Sequence, residues 1–91
     1  MRIRPVGDLD LAGMSALAEP IEAARATGMA IVLELDGLDF LDSSGLNLIL
    51  ATWEAARRDG TPFRLTPGRA NVQRVFRVAG LDDVLPFERG L

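Results

Sequence analysis

The chain has 91 residues, 48% of them hydrophobic and 25% charged, which suits one globular domain over residues 1–91 with one modest core. It has no Cys and no His, and all its basic residues are Arg. That removes disulfides, thiolate nucleophiles, the commonest general base and metal ligand, and the lysine of a phosphate loop, Ser-Lys dyad or Schiff base.

The net charge is −3, and the arginines are scattered from Arg2 to Arg89 without a cationic patch. Nucleic acid is therefore not an expected partner. No apolar run reaches the roughly 18 residues of a membrane span. The start, Met1-Arg2-Ile3-Arg4-Pro5, has no apolar signal-peptide core. A cytoplasmic protein without direct membrane insertion is expected.

In chain order, residues 2–6 read as a short strand closed by Gly7. Pro5, which cannot donate a ladder hydrogen bond, marks a strand end or a sheet edge. A first helix is predicted over about 13–27. Met14, Leu17, Ala18, Ile21 and Ala24 or Arg25 recur at helical spacing, and Gly28 stops them. Pro20 inside this pattern predicts a kink or a late start. The near-continuous apolar run Ala30 to Leu35 predicts a central strand of parallel type, followed by a polar turn through Asp36 and Gly37.

A second helix is predicted from about Ser44 to Asp59, with Gly60 as its C-terminal stop. Leu46, Ile49, Leu50 and Trp53 form its core face. Pro62 to Thr66 reads as a short strand. A third helix covers about 69–79, with Val72, Val75, Phe76 and Ala79 as its stripe and Gly80 at its end. Val84 to Phe87 reads as a last short strand. Strands alternating with helices imply right-handed crossovers. The expected fold class is α/β, a largely parallel four-stranded sheet packed by about three helices.

In alternating α/β folds, sites gather where strands end and helices begin. Two such places stand out: Gly7-Asp8-Leu9-Asp10, and Leu38-Asp39-Phe40-Leu41-Asp42-Ser43-Ser44-Gly45. With Asp36 they hold five carboxylates, Asp8, Asp10, Asp36, Asp39 and Asp42, and they put Ser43 at or next to the start of the second helix. A helix N-terminus offers unpaired N–H groups and partial positive charge, a natural phosphate site. A phosphate on Ser43 would add roughly −1.5 to −2 charges at a place the fold tolerates. Joined to a cluster of Asp side chains, it would repel a partner matched to the unmodified surface. Asp, Ser and Gly are also what ordinary N-caps and tight turns use.

The wider context resembles the STAS domains, and among them the bacterial anti-sigma factor antagonists of the sporulation and general-stress type. The likeness covers nearly the whole chain. Gly7-Asp8-Leu9-Asp10 is similar to the family's Gly-Glu-Leu-Asp. The segment Ile31 to Leu35, followed by Leu38 to Leu46, is similar to its strand, turn and phosphorylation loop. Val72-Gln73-Arg74-Val75-Phe76 and then Gly80-Leu81 resemble its third helix and exit.

The resemblance implies partner switching. The unphosphorylated antagonist binds an anti-sigma factor that is also a serine kinase, and so frees a sigma factor for transcription, as in a stress response. The kinase phosphorylates the Ser after the Asp, which is Ser43 here, with Ser44 as the alternative. The complex dissociates, and a metal-dependent serine phosphatase resets the switch. Asp8, Asp10, Asp42, Ser43, Ser44, Gly45, Asn47 and Leu48 would form the partner-binding surface.

Two departures stand out. Asn47 occupies a place where the family usually has Gly, at the expected interface. The chain begins where the family's second strand begins and ends before its last helix. That predicts an edge or apolar face needing cover, by a homodimer for example.

Leu48 lies opposite the Leu46/Ile49/Trp53 stripe, so it is either an exposed contact near Ser43 or packed against a neighbouring helix. Trp53 is expected in the core. Arg69, Arg74 and Arg77 are expected on a solvated face. No cofactor and no dedicated metal site are expected, although acidic turns can hold Mg²⁺.

Two other functions compete. One is a STAS subunit of a lipid-transport ABC system or a stressosome-type scaffold. The other is an enzyme with Ser43 as nucleophile, disfavoured because no His or Lys is present as a base.

Overall fold

The computed structural model describes residues 1–10 and 13–88, with side chains throughout except at Met14, Ser15 and Ala16. The elements in chain order are β1 (Arg2–Ile3), β2 (Gly7–Leu9), α1 (Met14–Ala26), β3 (Ile31–Glu34), β4 (Leu38–Leu41), α2 (Ser43–Asp59), β5 (Phe63–Thr66) and α3 (Ala70–Val78). The expected α/β class with three helices and parallel strands is what forms.

The main sheet has the order β1-β3-β5, all parallel, with Ile3 opposite Leu33 and Leu33 opposite Leu65. A bridge between Leu65 and Phe87 extends it by a fourth place, at the segment read as the last short strand. The apolar run Ile31–Leu35 is therefore the middle strand, flanked on both sides. Ile31, Leu33 and Leu35 are fully buried, whereas Val32 and Glu34 on the opposite face are half-buried. Only one face of β3 is thus a fully covered core face, and the other carries an ion pair, Arg2 to Glu34 at 3.2 Å.

The edges of the elements correct the sequence reading in two places. Residues 2–6 are not one strand. β1 stops at Ile3, the chain passes through Pro5 without pairing, and Gly7–Leu9 starts a second ladder. Its partner is β4, Leu38–Leu41, in a segment the sequence suggested only as turn and loop. The β2–β4 ladder is parallel, with a register shift at Gly7/Asp8, and Asp42 N–H extends it by donating to the Leu9 carbonyl at 3.3 Å.

Helix α1 runs from Met14 to Ala26 with Pro20 inside it and without a late start. Leu17, Ile21 and Ala24 are buried; the Met14 side chain, first in the expected stripe, lies outside the described residues. Arg25 ties α1 to the end of α2. Its Nε and Nη2 both donate to Asp59 Oδ2, at 3.0 and 2.8 Å, and Nη1 donates to Glu22 at 2.9 Å. The hydrogen bonds to Asp59, with the nearby charges of Asp59 and Glu22, raise the pKa of this guanidinium above the ordinary arginine value.

Helix α2 ends at Gly60, which adopts the left-handed region at φ 72° that costs other residues strain. Thr61 N–H then returns to the Ala56 carbonyl at 2.8 Å and closes the last turn.

The core gathers Leu17, Ile21, Ile31, Leu33, Leu35, Leu46, Ile49, Leu65, Val72 and Phe76. Phe76 packs edge-on against Phe87, ring centroids 5.1 Å apart at 81°. The expected stripe of α3 holds at Val72 and Phe76, which are buried, but Val75 is half-buried and Ala79 is exposed. Past Phe76 the apolar residues of this nine-residue helix are exposed: Val78 is 78% exposed, and Ala79 is the C-cap. Among the described residues, no helix is long and apolar enough to cross a membrane.

Candidate functional site

The turn between β4 and α2 is built by local capping. Asp42 is extended at φ −105° and ψ −175°, and its carboxylate accepts a hydrogen bond from Gly45 N–H at 3.1 Å. Its carbonyl accepts from Leu46 N–H at 3.0 Å. Asp42 thus satisfies part of the first turn of α2. Ser43 is exposed as the first helical residue and Ser44 is half-buried behind it, while Gly45 and Leu46 of the same turn are buried. Asp42→Ala removes the cap, and we expect a stability loss of about 1 kcal/mol, read as a lower midpoint in urea unfolding.

Gly45 is buried for a steric reason. A Cβ there would lie 2.6 Å from the Leu9 carbonyl oxygen, 2.6 Å from Leu41 Cδ1 and 2.8 Å from Leu9 Cγ. The helix start is seated directly on the end of β2. This close approach brings the two sequence segments together, because Leu9 is followed at once by Asp10. The Asp10 carboxylate accepts from Gly13 N–H at 3.0 Å and shapes the entry to α1. Asp8 is exposed on the ladder, opposite Phe40, itself 49% exposed.

The five carboxylates do not form one cluster, which corrects the sequence expectation. Asp36 lies at the other end of β4, beside Arg4 at 3.3 Å. Asp39 pairs with Arg69, and its carbonyl accepts from Asn71 Nδ2 at 2.7 Å. The Asp42 carboxylate points back into its own helix. Among the described residues no three acidic side chains converge as a metal site. A phosphate on Ser43 would therefore supply most of the new negative charge itself.

Asn47 is exposed one turn beyond Ser43 on the same side of α2. Leu48 is half-buried and packs against the core, and so does Trp53, with Arg57 stacked 5.0 Å over its ring. Of the two alternatives for Leu48, the structure favours packing for much of its side chain.

One part of the site was not visible in the sequence. The first turn of α2 and the outer face of α3 enclose an apolar groove of about 380 Å³ lined by Ser43, Leu46, Asn71, Arg74, Val75, Val78 and Ala79. The two bonds of Asp39 to Arg69 and Asn71 hold the start of α3 against β4, and so fix the groove beside Ser43. The available signal was Val78, an apolar residue off the buried stripe.

A family model described as "Mlab, STAS domain" matches residues 1–86. The chain belongs to the STAS domain family. This STAS domain is 26% identical over 85 residues to an anti-sigma-B factor antagonist of Staphylococcus aureus, a match covering 92% of this chain and 79% of that protein. Its fold is similar to the crystal structure of an anti-sigma factor antagonist from Mycobacterium paratuberculosis, at a TM-score of 0.82 and 28% identity, covering 99% of this chain and 77% of that one. It also shares its fold with the unphosphorylated form of the anti-sigma factor antagonist SpoIIAA, at a TM-score of 0.78 and 24% identity, covering 99% and 78%.

Proposed function

We propose that this STAS domain is an anti-sigma factor antagonist working in the cytoplasm by partner switching. Unphosphorylated, it binds an anti-sigma factor that is also a serine kinase. Phosphorylation of Ser43 releases that partner, and a metal-dependent serine phosphatase restores binding. It acts as a binding protein, not as an enzyme. The named relatives are antagonists of other protein factors, and the serine has no His or Lys for activation.

The observation that carries this reading is the placement of Ser43. Its side chain is exposed at the first position of α2, while the turn that holds it is closed by Asp42 and by the Leu9 carbonyl. A kinase can reach this hydroxyl without unfolding anything. Ser44 is half-buried, which favours Ser43 as acceptor. The phosphate would sit at the positive end of a 17-residue helix, an arrangement worth about 0.3–1 kcal/mol in its favour. We therefore expect the phosphorylated protein to unfold at the same temperature as the unmodified one, or slightly higher. A clear drop in Tm would mean that the switch works by unfolding instead.

The test is to incubate the purified protein with ATP and native-host lysate and to map phosphosites by mass spectrometry, with Ser43→Ala alongside. Phosphate on Ser43 that is absent from the variant supports the proposal. No phosphate on Ser43 or Ser44, in a lysate whose other serine kinases are active, would contradict it. That result would favour a constitutive STAS subunit of a lipid-transport system or a scaffold.

A further inference from the structure

The groove between α2 and α3 touches the Asp42–Gly45 turn only through Ser43, yet it has a chemistry of its own. Leu46 is buried at its base, Val75 is half-buried, and Val78 at its rim is 78% exposed. An apolar side chain this exposed, in line with two others, is a surface suited to desolvation by a partner.

The charges around it point to the kind of partner. Arg2, Arg4, Arg25, Arg64 and Arg69 each pair with a carboxylate of this chain, and Arg57 lies over Trp53. Arg74 lines the groove and, like Arg58 and Arg77 outside it, makes no ion pair among the described residues. No carboxylate lines the groove with it. An apolar strip with one unmatched guanidinium is complementary to an apolar side chain flanked by a carboxylate.

We infer that this groove docks a segment of the anti-sigma factor that presents an apolar anchor to Leu46, Val75 and Val78 and an adjacent Asp or Glu to Arg74. The inference rests on the proposed antagonist function and adds the recognition chemistry of the partner. It also gives the switch a second point of action. Ser43 and Arg74 line the same groove, so a phosphate on Ser43 would set its charge against the partner's carboxylate and compete with it for Arg74.

The test uses the full chain with benzoylphenylalanine in place of Val78, irradiated with the purified anti-sigma factor, and the crosslinked peptide identified by mass spectrometry. Dissociation constants are measured in parallel for the wild type, Arg74→Glu, Val78→Glu and, as a control remote from the groove, Arg58→Glu. Arg74 and Val78 are both exposed, so their variants should keep the wild-type circular dichroism. The expected result is a crosslink to a segment with a carboxylate within about one helical turn of the anchor. Each groove variant should weaken binding by about tenfold or more, with Arg58→Glu unchanged. Changing that partner carboxylate to Arg should restore binding to Arg74→Glu.

Wild-type affinity in both groove variants would overturn the inference and leave the antagonist function standing. A crosslink to a second copy of this chain would overturn it in favour of a homodimer face. Failure of the wild type to bind the anti-sigma factor would sink the functional proposal and this inference together.

Discussion

Phe76→Ala should lower the free energy of unfolding by about 3–5 kcal/mol, the usual cost of emptying a buried phenylalanine site. Phe76 is the largest side chain with no exposed surface, and it meets Phe87 edge-on. It joins α3 to the segment that bridges to β5 at Leu65. Domains of this size are stable by only about 5–15 kcal/mol, so the variant should lose a large share of its stability. Urea unfolding followed by circular dichroism measures it. A loss below about 1 kcal/mol would mean that α3 is not anchored through this ring.

Gly45→Ala is the second large effect, and its sign distinguishes two accounts. In an ordinary helix interior the change favours the helix by about 1 kcal/mol. Here the new Cβ would meet the Leu9 carbonyl oxygen at 2.6 Å, and that atom is backbone and cannot turn aside. Overpacking of this kind costs about 1–3 kcal/mol. The helix start can relieve it only by moving away from β2, which displaces Ser43. We expect a lower Tm and loss of phosphorylation at Ser43 under conditions where the wild type is modified. A higher Tm with normal phosphorylation would show that α2 is not seated on Leu9.

The parts of this fold that the sequence reveals are those written in local grammar. The Ile31–Leu35 run identifies the middle strand because a strand flanked on both sides needs apolar residues at most positions. The Asp42-Ser43-Ser44-Gly45 turn is legible because capping depends on neighbours in sequence. Gly60 marks the end of α2 for the same reason.

What was hidden depends on tertiary contact. Leu38-Asp39-Phe40-Leu41 has buried ends and an exposed middle, which breaks the two-residue period of a strand, so β4 is recognisable only beside β2. The five aspartates look like a cluster in sequence, but Asp36 and Asp42 lie at opposite ends of β4. Val75 and Ala79 fit the helical stripe of Val72 and Phe76, yet Val75 is only half-buried and Ala79, the C-cap, is exposed, and both line the groove beside Ser43.

The most direct measurement of the central claim is the affinity of the purified protein for the proposed partner, an anti-sigma factor kinase, before and after stoichiometric phosphorylation of Ser43. Isothermal titration in the presence of nucleotide gives both values. Like charges brought together at an interface cost several kcal/mol. The account therefore predicts a dissociation constant that rises by about a hundredfold or more on phosphorylation, while the circular dichroism stays the same. Equal affinity in the two states would contradict it, because Ser43 would then be a capped helix start and not a switch.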